Sequence, residues 1–144
     1  MRIALGSDDD THLVGEIARE LERRGHSVAR FGAAAGKAEP WAATALAVAE
    51  AVARGELDSG VVCCWTGTGV SIAANKVPGV RAALCGDAAT ARGARKWNDA
   101  NVLALSLRAT APEVAREILE AWLDEPYGET EAASLDAIRE KERG

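Results

Sequence analysis

The segment from Cys64 to Gly69, with the sequence Cys-Trp-Thr-Gly-Thr-Gly, combines a thiol, two hydroxyls and two glycines. Gly67 and Gly69 allow a tight turn that presents backbone amides at the N-terminus of the following helix, an arrangement suited to an oxyanion or a phosphate. The turn lacks the Gly-Lys-Ser/Thr of a Walker loop and the Gly-x-Gly-x-x-Gly of a dinucleotide site. By itself it is also compatible with a plain tight turn.

Cys64 ends a predicted strand directly before that helix, where the helix dipole favours the thiolate form of a thiol. The position suits a catalytic base, although a small buried apolar residue is the alternative. Cys63 should point to the opposite face of the strand, and Cys85 lies inside a later strand, so both are expected to be packing residues. Three cysteines without a CxxC spacing favour free thiols in a reducing compartment, and we therefore expect a cytoplasmic protein.

Two further polar segments, 8–10 and 97–99, are expected at the same carboxyl edge of a parallel sheet as the Cys64–Gly69 turn. Three consecutive aspartates, Asp8 to Asp10, could bind a divalent cation, but a solvated helix cap is the favoured interpretation. No metal or other cofactor is therefore predicted. His12 and His26 are interpreted as structural, with His12 folding back over the site as an open alternative.

Tryptophan at positions 41, 65 and 97 is unusual in a chain with only 4% aromatic residues. Trp65 and Trp97 are expected at the carboxyl edge, where they would narrow a pocket or form an apolar platform for a sugar ring or a base. Trp122 is expected in the core.

Strand and helix patterns alternate along residues 1–144, which predicts one Rossmann-like domain. Its strands are nearly all apolar, so we expect a three-layer αβα sandwich with a five-stranded parallel sheet and an extra C-terminal helix. The predicted strands are 2–7, 26–31, 60–64, 80–85 and 101–106, and the predicted helices include one closed by Gly25, one over 40–54, one from Val70 and one over 130–143.

Composition limits the possible partners. Alanine occupies 31 positions, so the core must pack small side chains closely, and the net charge of −5 argues against nucleic acid or an anionic membrane surface. Residues 113–144 contain 10 acidic and 4 basic groups, which leaves the rest of the chain nearly neutral. No apolar run has the length of a signal sequence or a membrane span.

The block Ser71–Lys76, preceded by Gly-Thr-Gly and followed by Pro-Gly-Val-Arg-Ala, resembles the signature of the ribose-5-phosphate isomerase B and galactose-6-phosphate isomerase family. The resemblance extends to Ile3–Asp8, Asn98–Ala104, Arg108 and Ala121–Leu123, and therefore to nearly the whole chain. It implies an enzyme that interconverts an aldose and a ketose, commonly phosphorylated, by moving a proton through an enediolate.

The resemblance also implies residue roles. Cys64 matches the cysteine base, Thr66 the adjacent hydroxyl residue, and the amides of Gly67, Thr68, Gly69 and Val70 the oxyanion cradle. Asp8 and Asn98 match sugar contacts, and Arg108 matches a phosphate-binding arginine.

Several positions depart from the family pattern. Asp9 stands where a phosphate-contacting histidine is usual, Trp97 replaces a ring-opening histidine, and Trp65 replaces a glycine. Glu39 replaces a tyrosine, and the acidic segment 129–134 replaces a basic one. We therefore expect altered substrate specificity, with Asp9, Trp65 and Trp97 lining the site. The alternative is a catalytically impaired member that binds a small molecule or serves as a partner subunit.

The predicted C-terminal helix, 130–143, has Leu135 and Ile138 as its main large apolar residues and needs a surface to cover. Family members resemble one another in forming dimers whose last helix reaches the partner's active site. We therefore expect a homodimer, or a tetramer built from it, in which Arg139 is the best remaining cationic contact.

Overall fold

The structure is a computed structural model that describes residues 1–144 and has the predicted three-layer αβα architecture. The strands are β1 (Arg2–Ser7), β2 (Ser27–Gly32), β3 (Ser59–Cys64), β4 (Ala82–Leu84) and β5 (Val102–Ser106). The helices are α1 (His12–Arg23), α2 (Trp41–Ala53), α3 (Thr68–Ala74), α4 (Ala88–Asn98), α5 (Pro112–Asp124) and α6 (Ala132–Arg143), with a 3-10 turn at Ala33–Ala35.

All five strands are parallel, in the order β2-β1-β3-β5-β4, so β3 lies in the centre of the sheet and β4 at one edge. Ser7 pairs with Cys63, and Cys64 pairs with Ser106. The ends of β1, β3 and β5 therefore meet at the carboxyl edge, which brings the residues that follow these strands together.

The two faces of the sheet pack differently. Helices α1, α4 and α5 cover one face over leucine, isoleucine and Cys63, whereas α2 and α3 cover the other over smaller residues and Cys64. On this second face, a methyl group at Gly6 or Gly60 would lie 2.8 or 2.7 Å from the Val48 side chain. Glycine at both positions lets α2 lie close to the sheet.

Strand β4 is three residues long, Ala82–Leu84, rather than the predicted 80–85, and two asparagine side chains bind the chain around its start. Asn75 accepts a hydrogen bond from the Ala82 amide at 2.8 Å and donates to the Ala82 carbonyl at 2.9 Å. Asn101 does the same for the Arg81 amide and the Gly79 carbonyl, at 2.8 and 2.9 Å. These side-chain bonds add to the backbone bonds that the Arg81 carbonyl accepts from the Asn101 and Val102 amides.

Other boundaries differ by one or two residues. Helix α3 begins at Thr68, two residues before the prediction, because Gly67 adopts a left-handed conformation with φ of +76°. Gly25 closes α1 with φ of +88°, as predicted. Helix α6 begins at Ala132 and buries only Leu135 fully. None of the helices combines the length and the apolar character needed to span a bilayer.

Candidate active site

Cys64 is the last residue of β3, and its side chain belongs to the core face formed with α2 and α3. Its residue exposure is 5%, whereas Cys63 and Cys85 are fully buried. The carbonyl of Cys64 accepts a hydrogen bond from the Leu107 amide at 2.9 Å, which fixes the strand end against the segment after β5. Cys64 therefore lies at the carboxyl edge and is almost fully buried.

The turn after Cys64 requires glycine at Gly67 for two reasons. Its φ of +76° is in the left-handed region, and a methyl group there would lie 2.6 Å from Leu84 Cδ1 and 2.9 Å from the Leu105 carbonyl carbon. The hydroxyls of Thr66 and Thr68 are hydrogen-bonded at 2.7 Å across the turn. The turn therefore presents two exposed hydroxyl groups and the first amides of α3.

Arg108 lies beside this turn because backbone bonds hold it there. Its amide donates to the Trp65 carbonyl at 3.1 Å, and that carbonyl also accepts from the Ser106 hydroxyl at 3.0 Å. The guanidinium is exposed and forms no ion pair within the chain. Thr66, Ser106 and Arg108 line a shared cavity of about 280 Å³, where an anionic group could be bound.

The segment after β1 contributes carboxylates to the same edge. Asp8 follows Ser7, which pairs with Cys63 at the end of β1, while Asp9 is exposed and its carbonyl accepts a 2.6 Å hydrogen bond from the Ser7 hydroxyl. His12 does not fold back over the site, because its Nε2 lies 3.3 Å from Glu16 Oε1 along α1 and its side chain is 74% exposed. That alternative for His12 is therefore wrong.

The buried thiols differ from Cys64 in their surroundings. Burial, with smaller contributions from Cys64 and Asp8, raises the pKa of Cys63 to about 12. Burial and Asp87 raise the pKa of Cys85 to about 11. Cys85 follows β4 rather than lying inside it, but both residues are packing residues, as expected.

The segment 97–99 is not at the carboxyl edge, so the predicted placement of Trp97 and Asn98 beside Cys64 is wrong for a single chain. Helix α4 begins after β4 and returns the chain to the amino edge, where Asn98 is its last residue. The Trp97 ring lies back over its own helix, against the backbone of Gly93. A methyl group at Gly93 would lie 2.7 Å from this ring. Asn98 is exposed and its side chain makes no hydrogen bond in the chain.

An arginine clamp formed by Arg81 and Arg95 around Asp99 fixes this segment. Arg81 donates from Nε to the Asp99 carbonyl at 2.8 Å and from Nη2 to the carboxylate at 3.4 Å. Arg95 Nη1 contacts the other carboxylate oxygen at 3.5 Å and the Ala100 carbonyl at 2.5 Å. The clamp supports Asp99 in a left-handed conformation with φ of 46°, which ends α4 after Asn98.

Helix α6 lies on the same side of the molecule as Asn98. A groove of about 690 Å³ lies between this helix and the chain around β4. It is lined by Leu135 and Ile138 of α6, by the preceding Glu131, and by Trp97 and Asn98. Arg139 pairs with Asp136 at 3.2 Å on this helix. Neither Arg139 nor the groove faces Cys64 of the same chain, so the predicted site is divided between the two edges.

Trp41 is unusual in the sequence, and the sequence patterns predict no role for it. In the structure it begins α2 at the carboxyl edge, and a methyl group at Gly69 would lie 2.9 Å from its indole Cε3. The rarity of tryptophan next to Pro40 was the only sequence signal. Trp122, by contrast, is in the core as predicted, with 3% exposure.

Comparisons with known proteins show the family to which the chain belongs. A family described as Ribose/Galactose Isomerase matches residues 3–138. The chain is 40% identical over 127 residues to ribose-5-phosphate isomerase B of Escherichia coli, covering 88% of this chain and 85% of that protein. It is 38% identical over 129 residues to D-erythrulose-4-phosphate isomerase of Pectobacterium atrosepticum, covering 88% and 85%.

A solved structure of ribose-5-phosphate isomerase B from Clostridium thermocellum is similar over 99% of this chain and 98% of that chain, with 43% identity and a TM-score of 0.93. The family match and the fold together define the class of the protein, an α/β isomerase that interconverts an aldose and a ketose. The chain belongs to the ribose/galactose isomerase family, and the family resemblance found in the sequence is confirmed.

Proposed function

We propose that this protein isomerises an aldose to a ketose with the Cys64 thiol as the proton-transferring group. The supporting observation is the position of Cys64 at the end of the central strand, slightly open to solvent, in a chain of an isomerase family. The neighbouring hydroxyls of Thr66 and Thr68 and the amides of Gly67 to Val70 surround the place where a carbonyl oxygen would bind.

In the proposed reaction the Cys64 thiolate removes the proton from C2 of the open-chain aldose. The C2–H electron pair forms the C1–C2 double bond, and the carbonyl oxygen takes the negative charge of an enediolate. The amides of the turn stabilise this oxyanion. Return of the proton from the thiol to C1, with transfer of the O2 hydroxyl proton to O1, completes the ketose and regenerates the thiolate.

A two-fold dimer would unite the two parts of the divided site. Asn98 and α6 lie at the amino edge of their own chain, away from Cys64, so in this proposal they act on the Cys64 of another subunit. Several large apolar side chains are also exposed without a partner, including Ile72 at 61% and Ile138 at 45%. In this dimer, Asn98 and Arg139 of one subunit contact the substrate bound at Cys64 of the other.

We further propose that the substrate preference differs from that of phosphate-dependent relatives. Asp8, Asp9 and Glu39 follow strands at the carboxyl edge or lie in its loops, and a sugar phosphate would meet repulsion from them. Arg108 is the free cation beside the turn. Trp65, 64% exposed, offers an apolar surface instead. The protein should accept sugars that carry less negative charge from phosphate groups.

Proton transfer is tested by following D-ribose and D-ribose 5-phosphate in D₂O by NMR. Isomerisation through Cys64 incorporates solvent deuterium at C1 of the ketose, and Cys64→Ala should lower kcat by about 10²- to 10⁴-fold. Cys63→Ala is the matched control from the opposite face of the sheet and should retain kcat. Unchanged turnover in Cys64→Ala would overturn the assignment of the thiol.

The second candidate function is a non-catalytic sugar-binding subunit, favoured by Trp97 and Asp9 in place of titratable or phosphate-binding groups. Calorimetry separates it from the first, since binding of D-ribose without any deuterium incorporation would support this alternative. For either function, three reduced thiols support a cytoplasmic location.

A further inference from the structure

Trp41 lies at the carboxyl edge, and its contacts within the chain leave much of its indole exposed. It begins α2 after Pro40, and one turn later Thr44 is fully buried near the ends of β1 and β2. A methyl group at Gly32 would lie 2.5 Å from the Thr44 hydroxyl and 2.6 Å from the Ser7 carbonyl oxygen. The first turn of α2 is thereby held against the strand ends.

The Trp41 indole lies directly on the backbone of Gly69. A methyl group at Gly69 would be 2.9 Å from Cε3, 3.0 Å from Cζ3 and 3.1 Å from Cδ2 of the indole. Gly69 does not have a positive φ, so a side chain there is excluded by the ring rather than by the backbone. Gly69 directly follows Thr68, and α2, which Trp41 begins, covers the same face of the sheet as Cys64.

Trp122 shows what a structural tryptophan looks like in this protein. It is 3% exposed, its Nε1 donates to the Ser59 hydroxyl at 3.2 Å, and the Arg95 guanidinium lies 5.8 Å from its ring. Trp41 is 44% exposed, and its Nε1 makes no hydrogen bond in the chain. An indole with an open face and a free donor beside a binding turn is suited to a sugar, which has both C–H faces and hydroxyls.

We infer that Trp41 is a substrate-contacting wall of the site, which stacks on the apolar C–H face of the sugar and donates from Nε1 to a hydroxyl. The inference rests on the proposed function and extends it, because the contact recognises the carbon chain and not the phosphate. The absence of a side chain at Gly69 leaves room for the indole ring to lie beside the turn.

Steady-state kinetics of the full-length protein with D-ribose and D-ribose 5-phosphate test the inference. Trp41→Ala should raise KM for both sugars by the same factor, about 3- to 10-fold, with kcat changed less than about 2-fold. Gly69→Ala should raise KM similarly by displacing the ring, and the double variant should be no worse than Trp41→Ala alone. Trp122→Phe should lower Tm and leave KM unchanged.

Two results would overturn the inference: an unchanged KM in Trp41→Ala, or a full additional loss when Gly69→Ala is added to it. Calorimetric binding of the same two sugars to the Cys64→Ala background, with and without Trp41→Ala, separates the possible failures. Absent turnover with binding that depends on Trp41 refutes the proposed isomerase alone. Binding that does not depend on Trp41, or no binding of either sugar, refutes the inference that Trp41 contacts the substrate.

Discussion

At the carboxyl edge of the sheet the chain is held by backbone hydrogen bonds, as between Leu107 and Cys64 and between Arg108 and Trp65. At the amino edge the segment around Asn98 is held by the side chains of the arginine clamp. The first arrangement fixes a thiol and amides rigidly, whereas the second presents an exposed amide beside an open groove. In the proposed dimer, the carboxyl edge of one subunit would supply the thiol and the amino edge of the other would supply contacts to the substrate.

The largest effect is expected from mixing two inactive variants, Cys64→Ala at one edge and Asn98→Ala at the other. If each site combines the two edges across a dimer, random exchange of subunits should restore about a quarter of wild-type activity, since half the dimers have one intact site. Activity is measured after brief denaturation and joint refolding. Persistent inactivity of the mixture would place both residues in the same chain's site.

Removal of α6, the helix at the amino edge, should give the next largest effect. A protein ending at Gly128 lacks α6 and should sediment as a monomer with KM raised at least about 10-fold, because the partner's contacts are lost. The control is Ala133→Ser, an exposed change on α6 that should leave sedimentation unchanged. A truncated protein that stays dimeric with wild-type KM would contradict this role of α6.

The rate of alkylation compares Cys64 with two more deeply buried thiols, Cys63 on the opposite face of β3 and Cys85 after β4. Since burial raises the pKa values of Cys63 and Cys85 to about 12 and 11, these groups stay protonated at neutral pH. Brief iodoacetamide treatment at pH 7.5 should modify Cys64 about 10-fold faster than either, as measured by peptide mass mapping. Preferential labelling of Cys85 would contradict the assignment.

Removal of the negative charge at Asp9 should give a smaller effect, confined to the phosphorylated sugar. Asp9→His removes a carboxylate from the carboxyl edge and should lower KM for ribose 5-phosphate by about 3- to 10-fold while leaving D-ribose unaffected. Asp10→His, one residue further along, is the matched control. Equal changes for both sugars would mean that Asp9 does not face a phosphate.

The smallest effect concerns acid stability at the amino edge, where α1 ends. Hydrogen bonds from Arg23, and to a lesser extent Arg24, lower the pKa of Glu20 from 4.5 to about 2, although burial opposes them. Because the folded pKa is depressed, this stabilisation is complete above pH 4.5 and is lost as pH falls towards 2. Tm should therefore fall more steeply in wild type than in Glu20→Gln over that range.

Much of the carboxyl edge was predictable because short-range rules control it. Alternation along β3 predicted opposite faces for Cys63 and Cys64, and glycine at Gly67 predicted the turn. The placement of Asn98 was wrong because α4 carries the chain back across the sheet before β5 begins. The contact between Trp41 and Gly69 joins two helices distant in sequence, so no local pattern could predict it.

The pairing of the Asn75 amide with Ala82 has a consequence for storage and expression. An outer strand normally offers free N–H and C=O groups on which strands of other molecules can grow into fibrils. Here the side chain of Asn75 occupies both groups of Ala82, at 2.8 and 2.9 Å, and shortens the usable rim of β4. Addition of strands from other molecules at this edge is thereby hindered. Concentrated solutions of the protein should therefore resist fibril formation better than those of Asn75→Ala.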